Sequence, residues 1–390
     1  MTVKDKLILL SFLVMLALIV GTEFLYRDKL REYSYEWIPE FQNQMTTSGK
    51  NFFHFITLFG EGPAAVAVFG ITFGFSTRDK AFYMMFVHTV CGVLNQQLKI
   101  TYREPRPFLV VEKIQALDCS KTYGNPSGHA TNSACVYKYR GSKFRKMWFY
   151  ISLFLLVFLL VSVDVSRLAL GAHSINQVIY GSLLGIWLAL AMFYYTRPFL
   201  QVHLRSILEF DTREFVIQRL GTVRNSMLYY ILIVMSIWFI VILITVLNFI
   251  TSTKYGNYPN EWIESIISKC GGEDNISQNS IFINSAFVKS GLVSNLIGAY
   301  LGIILDSIYM KGTHQNINET PLWKGILRVL IGLVISIPFL SLYYLMPDNS
   351  NVMTLYLVKS TIPCFFVMLL LFSVVKLIFI RFNLVNMDKQ

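Results

Sequence analysis

Three polar clusters interrupt a hydrophobic chain, and each contains residue types that bind or cleave phosphate. The first reads Lys99-Ile-Thr-Tyr-Arg-Glu-Pro-Arg106-Pro107 and follows an apolar run. Lys supplies a point charge and Arg a planar fork, and both groups bind phosphate oxygens. Alone this cluster is a weak signal, because basic residues at the end of an apolar run are commonly topological anchors.

The second cluster, Pro126-Ser127-Gly128-His129, opens another apolar run. A helix beginning there would present unpaired backbone N–H groups and a partial positive charge to an anion. Gly128 lets the backbone come close, Ser127 can donate, and His129 is placed to protonate a leaving alkoxide as general acid. The alternative is an N-cap serine followed by a histidine without a chemical role.

The third cluster contains Ser166-Arg167 and then His173 and Gln177, which are four residues apart. If one helix includes both, they share a face, and the Gln177 amide oxygen can accept from Nδ1–H of His173. Nε2 is then free as a nucleophile toward phosphorus. Arg167 is a third cation for the phosphoryl oxygens. A helix cap or a core histidine is the alternative.

In their order and spacing, K-x6-RP, PSGH and SR-x5-H, the clusters resemble the type 2 phosphatidic acid phosphatase superfamily. That superfamily includes glucose-6-phosphatases, sphingosine-phosphate phosphatases, dolichyl-pyrophosphate phosphatases and soluble haloperoxidases. The resemblance extends over roughly Thr57 to Thr196 and implies catalysis without a metal or other cofactor. It implies that His173 is the nucleophile, that His129 is the general acid, and that the phosphate-binding set is Lys99, Arg106, Ser127, Gly128 and Arg167. The orienting role of Gln177 rests on its spacing to His173 and not on the resemblance.

The resemblance leaves the substrate open. Many family members have Asp where this chain has Gln177, and glucose-6-phosphatases have Gln there, whereas Arg-Glu-Pro-Arg-Pro is closer to the lipid-phosphatase form. We expect a metal-independent phosphoric monoester hydrolase that acts on a phosphorylated lipid. The alternatives are a sugar phosphatase similar to glucose-6-phosphatase and an inactive membrane scaffold or subunit. An unrelated transporter of anions ranks far below these.

The composition indicates an integral membrane protein in contact with membrane lipid. Of the 390 residues 54% are hydrophobic and 15% charged, and the mean hydropathy is +0.51. The net charge of +11 comes from basic residues between apolar runs, so nucleic acid is not an expected partner. Protein partners are not indicated. An endoplasmic-reticulum or other endomembrane location is favoured over the plasma membrane.

A helix crosses the bilayer with about 20 apolar residues. The sequence predicts an all-α polytopic bundle of about ten spans, with a phosphatase core of six helices. The spans lie near Leu7–Leu25, Phe52–Phe75, Ala81–Leu98, Ser127–Tyr137, Met147–Val163, Ser174–Tyr195, Met227–Ile250, Ala286–Leu305, Ile326–Leu345 and Val352–Ile380.

Four segments follow from this plan. Residues 1–50 are a signal anchor and an interfacial segment, 51–197 the phosphatase core, 198–225 an amphipathic cytoplasmic connector, and 226–390 a four-span C-terminal region. With a cytoplasmic N-terminus, the basic loops at Lys138–Lys146 and Arg197–Arg224 are cytoplasmic. The three clusters then lie toward the non-cytoplasmic face.

The fourth span is too short. The helix that opens at Ser127 has only 11 residues before Lys138, about 16 Å of helix, against about 30 Å of hydrocarbon. If this helix does not cross, His129 and His173 end on opposite faces. Either the bilayer is thinned there and the lysines extend to its surface, or the chain lacks roughly ten apolar residues at this point.

Other polar residues have simpler interpretations. Cys119 and Cys270 fall in non-cytoplasmic loops, and free thiols are favoured over a disulfide. Asp306 and Lys376 lie near predicted cytoplasmic ends, where their side chains can reach water. Glu61 interrupts the second span, and a role in the active site is the minority interpretation.

Overall fold

The computed structural model describes residues 3–136, 146–208, 212–255, 258–271, 281–310, 321–347 and 350–385. All regular secondary structure in these ranges is helical. The all-α class predicted from the sequence is therefore confirmed.

The helices of the first half carry the three clusters and the loops between them. In chain order they are α1 (Val3–Gln44), α2 (Thr47–Thr57), α3 (Gly62–Phe75), α4 (Arg78–Tyr102), α5 (Pro107–Val110), α6 (Gly128–Val136), α7 (Lys146–Ala169) and α8 (Ile175–Ala191). A short 3₁₀ turn, Leu58–Gly60, links α2 to α3.

The second half continues with long apolar helices and shorter connecting ones. They are α9 (Arg197–Leu208), α10 (Thr212–Tyr255), α11 (Asn260–Cys270), α12 (Ile281–Ser290), α13 (Ser294–Met310), α14 (Leu322–Leu345), α15 (Val352–Leu355), α16 (Ile362–Phe372) and α17 (Val375–Arg381).

The chain is an integral membrane protein. In its described part six helices are long and apolar enough to cross a bilayer, or seven if α2 and α3, bent by 48° at their junction, count as one span. Large apolar side chains are exposed along these helices, as Leu10 and Leu13 are on α1 and Ile240 and Leu243 on α10. Such surfaces are stable only against lipid. The total of ten spans stays a prediction.

Helix α1 is continuous over 42 residues, so the predicted anchor and interfacial segment form one element. Its buried face carries polar side chains, among them Glu23, Ser34 and Gln42. The Ser34 hydroxyl accepts from the backbone N–H of Ile175 at 2.9 Å, and the Gln42 amide donates to the carbonyl of Ala169 at 3.1 Å. Through these contacts α1 fixes the turn between α7 and α8.

The helices group into two compact units. The first comprises Met1–Ala65, Leu94–Phe193 and Asn248–Ala286, and the second comprises Val66–Val93, Tyr194–Leu247 and Phe287–Gln390. All residues of the three clusters belong to the first unit. The segment boundaries predicted at residues 50, 197 and 225 stay predictions.

The second unit has an aromatic and aliphatic core that includes Phe73, Phe372 and Phe379. Lys376 donates to Asp306 at 3.0 Å within this unit, and both side chains are almost fully buried. The expectation that these two reach water at the membrane surface is therefore wrong. They form a buried ion pair, which avoids leaving either charge unpaired.

The short fourth span lies partly outside the described residues. Helix α6 is described as far as Val136, whereas 137–145, with most of the basic residues that shortened the span, lie outside. The predicted consequence, histidines on opposite faces, does not occur, because the N–H of Ser127 at the start of α6 donates to the Gln177 carbonyl in the first turn of α8 at 3.0 Å.

Candidate active site

The first cluster forms the end of α4 and the extended segment after it. Lys99 lies in the last helical turn, and Pro105 keeps the chain from continuing as a helix. The Lys99 ammonium is buried and donates to the Thr122 hydroxyl at 3.2 Å and to the carbonyl of Tyr123 at 2.9 Å. The loop before α6 therefore packs directly on this cation.

Arg106 is the most extensively bonded cation of the site and is 2% exposed. Its guanidinium donates to the carbonyls of Thr122 at 2.7 Å and Ala172 at 2.8 Å, and to the Ser120 hydroxyl at 3.0 Å. One terminal nitrogen lies 3.0 Å from Nε2 of His173. Arg106 thus joins the first cluster to the third.

The second cluster forms the N-terminus of α6, which begins at Gly128. The Ser127 hydroxyl accepts from the backbone N–H of Ala130 at 3.5 Å, and its own N–H donates to the Gln177 carbonyl at 3.0 Å. The first turn of α6 is thereby fixed against the start of α8. Backbone N–H groups at this end carry the partial positive charge that favours an anion.

Glycines let α8 approach α6 closely. A Cβ atom at Gly181 would lie 2.7 Å from the carbonyl oxygen of Ser127, and one at Gly185 would lie 2.6 Å from that of Thr131. Small residues at such crossings let two membrane helices pack backbone to backbone. Gly181 and Gly185 thus set how close the second cluster comes to the third.

His129 lies in the first turn of α6, with its Nε2 3.5 Å from Oε1 of Glu61. The backbone next to Glu61 lies close to His129, since a Cβ atom added at Gly60 would lie 2.8 Å from Cβ of His129. The break between α2 and α3 therefore brings a carboxylate to the predicted general acid, and this contact favours the minority interpretation of Glu61.

Arg167 lies near the end of α7 and is 1% exposed. It donates to the Thr57 hydroxyl at 2.7 Å and forms an ion pair with Asp118. The sequence predicted a role for Arg167 but not its partners, because Thr57 is 110 residues and Asp118 is 49 residues away along the chain.

His173 and Gln177 make the contact expected from the sequence, at 3.1 Å between Nδ1 and Oε1. The reason differs from the expected one. Helix α8 begins at Ile175, so His173 precedes it and shares no helical face with Gln177. Instead Gln177 lies in the first turn and reaches back, its Oε1 also accepting from the Ser174 N–H at 3.4 Å. The Gln177 side chain therefore caps the N-terminus of α8, as in a capping box.

Burial and positive charge set the protonation of the site. Burial first, and then Arg106, Arg167, Lys99 and His129, lower the pKa of His173 well below that of free imidazole. Burial, and then Arg167, lower the pKa of Arg106 to about 9, which leaves it protonated at neutral pH. The arrangement is a neutral imidazole among cations, which suits attack on an anionic phosphoryl group.

A disulfide joins the loop of the site to α11. Cys119 and Cys270 are bonded, so the prediction of two free thiols is wrong. The sequence placed both in loops but gave no distance between them. The Lys269 ammonium donates to the carbonyls of Phe108 at 2.8 Å and Val111 at 2.9 Å, which also attaches α11 to the end of α5.

The sequence-based predictions assigned no role to Glu104 or Asp118, and they made a role for Glu61 the minority interpretation. Glu104 had the clearest signal, since it lies within the first cluster, buried and two residues before Arg106. Its carboxylate accepts from Asn176 at 2.7 Å and Gln177 at 3.0 Å. These carboxylates add negative charge around the predicted clamp.

The geometry is therefore that of a cation-rich site at the ends of α4 and α7 and the beginnings of α6 and α8. Residues 80–200 match the model of the PAP2 superfamily. This match agrees with the superfamily that the three clusters resemble. Comparisons with curated proteins and with solved structures found no match.

Members of the PAP2 superfamily are phosphatases, so the match supports a hydrolase of this type. The matched range contains Lys99, Arg106, Ser127, Gly128, His129, Arg167, His173 and Gln177. It does not contain Thr57 and Glu61, which precede it, or Cys270 and α11, which follow it. Contacts to the site therefore come from outside the matched segment on both sides.

Proposed function

We propose that the protein is a membrane phosphatase that hydrolyses a phosphomonoester, with a lipid phosphate favoured, through a phosphohistidine intermediate at the non-cytoplasmic face. The single observation that carries this proposal is the setting of His173. Its Nδ1 lies 3.1 Å from the amide oxygen of Gln177, and its Nε2 lies 3.0 Å from a donor nitrogen of Arg106. The imidazole is thus held from one side and faces a cation from the other.

In the first step Nε2 of His173 attacks phosphorus, and the bond from phosphorus to the ester oxygen breaks. Lys99, Arg106 and Arg167 bind the phosphoryl oxygens, and the N-terminus of α6 at Ser127 and Gly128 adds backbone donors. His129 transfers its proton to the leaving alkoxide, so that an alcohol departs.

In the second step a water molecule attacks the phosphorus of the phosphohistidine. His129, now neutral, accepts the proton of that water, the P–N bond breaks, and inorganic phosphate leaves. The Arg106 donor that faces Nε2 of His173 in the substrate-free protein moves its hydrogen bond to a phosphoryl oxygen when substrate binds. No metal or cofactor enters this sequence of steps.

The position of the site favours a lipid substrate. Its residues lie at the ends of apolar helices, which is where a membrane places its lipid headgroups. A sugar phosphate is the second candidate, favoured by Gln177 and by the multi-span second half. An endoplasmic-reticulum or other endomembrane location belongs to the same proposal.

The test is phosphate release by the purified protein in the presence of chelator, comparing the intact chain with His173→Ala. Phosphatidate, sphingosine phosphate and glucose 6-phosphate serve as substrates. Activity that is lost in the variant supports the proposal, and the preferred substrate decides between lipid and sugar. Acid-labile, base-stable label on the intact protein, absent from the variant, reports the phosphohistidine.

Absence of release on all three substrates, with both proteins folded, would overturn the enzyme proposal in favour of an inactive scaffold or subunit. Release that the chelator abolishes would instead contradict the metal-free mechanism.

A further inference from the structure

Glu104 is a buried carboxylate whose hydrogen bonds within the described residues come from amide groups. Oε1 accepts from Asn176 at 2.7 Å and from Gln177 at 3.0 Å, and Oε2 accepts from Asn125 at 2.8 Å. Its backbone carbonyl accepts from the N–H of Gly124 at 2.8 Å. The carboxylate is therefore held rigidly at the meeting point of the three clusters.

These bonds fix the orientation of the Gln177 side chain. Its Nε2 donates to Oε1 of Glu104 at 3.0 Å and to the carbonyl of Pro105 at 2.8 Å, so each of its two hydrogens has an acceptor. The reversed amide would place its oxygen against a carboxylate and a carbonyl. Oε1 must therefore point away from Glu104, toward His173.

The orientation of Gln177 in turn fixes the tautomer of His173. An amide oxygen can only accept, so Nδ1 of His173, 3.1 Å from it, carries the hydrogen in the neutral ring. Nε2, on the side of Arg106, then keeps its lone pair. A reversed amide would donate to Nδ1 and leave the hydrogen on Nε2, where it blocks attack on phosphorus.

We propose that Glu104 is a positioning residue: through the Gln177 amide it sets the tautomer of His173 and stabilises the positive charge that develops on the ring. This inference rests on the proposed function. Where the resemblance leads one to expect a carboxylate directly on the histidine, this chain has an amide at 177 and places the carboxylate behind it. The charge that supports the nucleophile comes from 104, in the first cluster.

The test is an exchange of the two side chains. In Glu104→Gln we expect kcat to fall roughly 100-fold with KM within about twofold, because supporting residues of a reactive group are typically worth about 10–100-fold and do not touch substrate. In Gln177→Glu two carboxylates face each other across a hydrogen-bond distance and activity is also lost. The double variant restores one carboxylate and one amide in reversed order.

We expect the double variant to be at least about tenfold more active than either single variant, since coupled residues are strongly non-additive. A merely structural role of Glu104 does not produce such rescue. The matched control is Glu112→Gln, which removes an exposed carboxylate of the following loop and leaves kcat unchanged. Full activity in Glu104→Gln, or no rescue in a folded double variant, overturns the proposal.

A second measurement is independent of activity. Nitrogen-15 NMR of histidine-labelled protein, with the His173 signal assigned by its loss in His173→Ala, reports which ring nitrogen carries the hydrogen. We expect the Nδ1–H form in the intact protein. In Glu104→Gln we expect a mixture that includes the Nε2–H form, in which the Arg106 donor 3.0 Å from Nε2 must turn away. An unchanged tautomer overturns the positioning role. If the intact protein releases no phosphate, the proposed function fails, while the tautomer still decides the role of Glu104.

Discussion

The carboxylate of Asp118 is ion-paired with the guanidinium of Arg167, so an anion of the chain itself occupies one cation of the proposed phosphate clamp. A bound phosphate must share Arg167 with this carboxylate or displace it. Asp118 is 27% exposed and lies on a loop, whereas Arg167 is buried on a helix. If phosphate displaces one partner of this pair, we expect the carboxylate to move.

The first prediction is that Asp118→Asn binds inorganic phosphate more tightly. We expect the inhibition constant of phosphate to fall about two- to fivefold, because a partly exposed ion pair contributes at most about 1 kcal/mol. Competitive inhibition of phosphate release measures the constant, with Glu112→Gln as the control. A weaker inhibition in Asp118→Asn would show that the carboxylate supports the clamp instead of competing with it.

The second prediction concerns the pH dependence of catalysis. Burial and nearby cations lower the pKa of His173, so the neutral nucleophile persists in acid where an ordinary imidazole is protonated. We expect the acid limb of kcat/KM to lie below about pH 6.5, after correction for ionisation of the substrate. A half-maximal point at the ordinary imidazole pKa would contradict this.

The same lowered pKa affects stability with a defined sign. Below about pH 6.5 the unfolded chain binds a proton at His173 that the folded protein does not, so the contribution is complete above that pH and is lost as the pH falls toward the folded pKa. We expect Tm to fall less between about pH 6.5 and 5 in His173→Asn than in the intact protein. Equal slopes in thermal unfolding would contradict it.

The sequence predicted which residues form the site better than it predicted their hydrogen-bond and ion-pair partners. Lys99, Arg106, His129, Arg167 and His173 could be recognised because residue type and spacing along the chain carry the signal. The all-α membrane fold followed from apolar runs of sufficient length. Both depend on local sequence or on composition, and the structure places these residues in one unit.

The partners of these residues depend on how distant loops pack, which spacing does not encode. Glu61 meets His129 because the chain breaks between α2 and α3, and Asp118 meets Arg167 across 49 residues. The same reason explains the missed disulfide. The sequence predicted the start of α8 to within one residue, but the condition that one helix includes both His173 and Gln177 is not met, because His173 precedes α8. The turn before α8 takes the backbone of Gly171 to a φ of +70°, which is not helical.

The third prediction concerns the close approach of α6 and α8. In Gly181→Ala the new Cβ would lie 2.7 Å from the Ser127 carbonyl, which belongs to backbone and cannot move aside alone. We expect a loss of about 1–3 kcal/mol in stability and a lower kcat, because the phosphate-binding turn is displaced. Thermal unfolding and phosphate release measure the two effects.

The matched control for Gly181→Ala is Gly21→Ala, in α1, where nothing lies within 4 Å of the added Cβ. There alanine improves helix propensity, so we expect unchanged activity and an unchanged or higher Tm. If the two substitutions have equal effects, close packing at Gly181 does not set the geometry of the site.

The fourth prediction concerns the bond between Cys119 and Cys270. Cys119 lies between Asp118, which pairs with Arg167, and Ser120, whose hydroxyl accepts from Arg106 at 3.0 Å. In Cys270→Ser this loop loses its attachment to α11. We expect a rise in KM with a smaller change in kcat, and a lower Tm, since removal of a native disulfide typically costs about 2–5 kcal/mol.

Steady-state phosphate release and thermal unfolding measure these effects of Cys270→Ser. Cys364→Ser, which removes a free thiol of the second unit, is the control and leaves both unchanged. Because the effect belongs to the bond, the double variant Cys119→Ser/Cys270→Ser has the same KM as either single variant. A double variant much weaker than the singles would show that the thiols act separately, and an unchanged KM in Cys270→Ser would show that α11 does not hold the loop over the clamp.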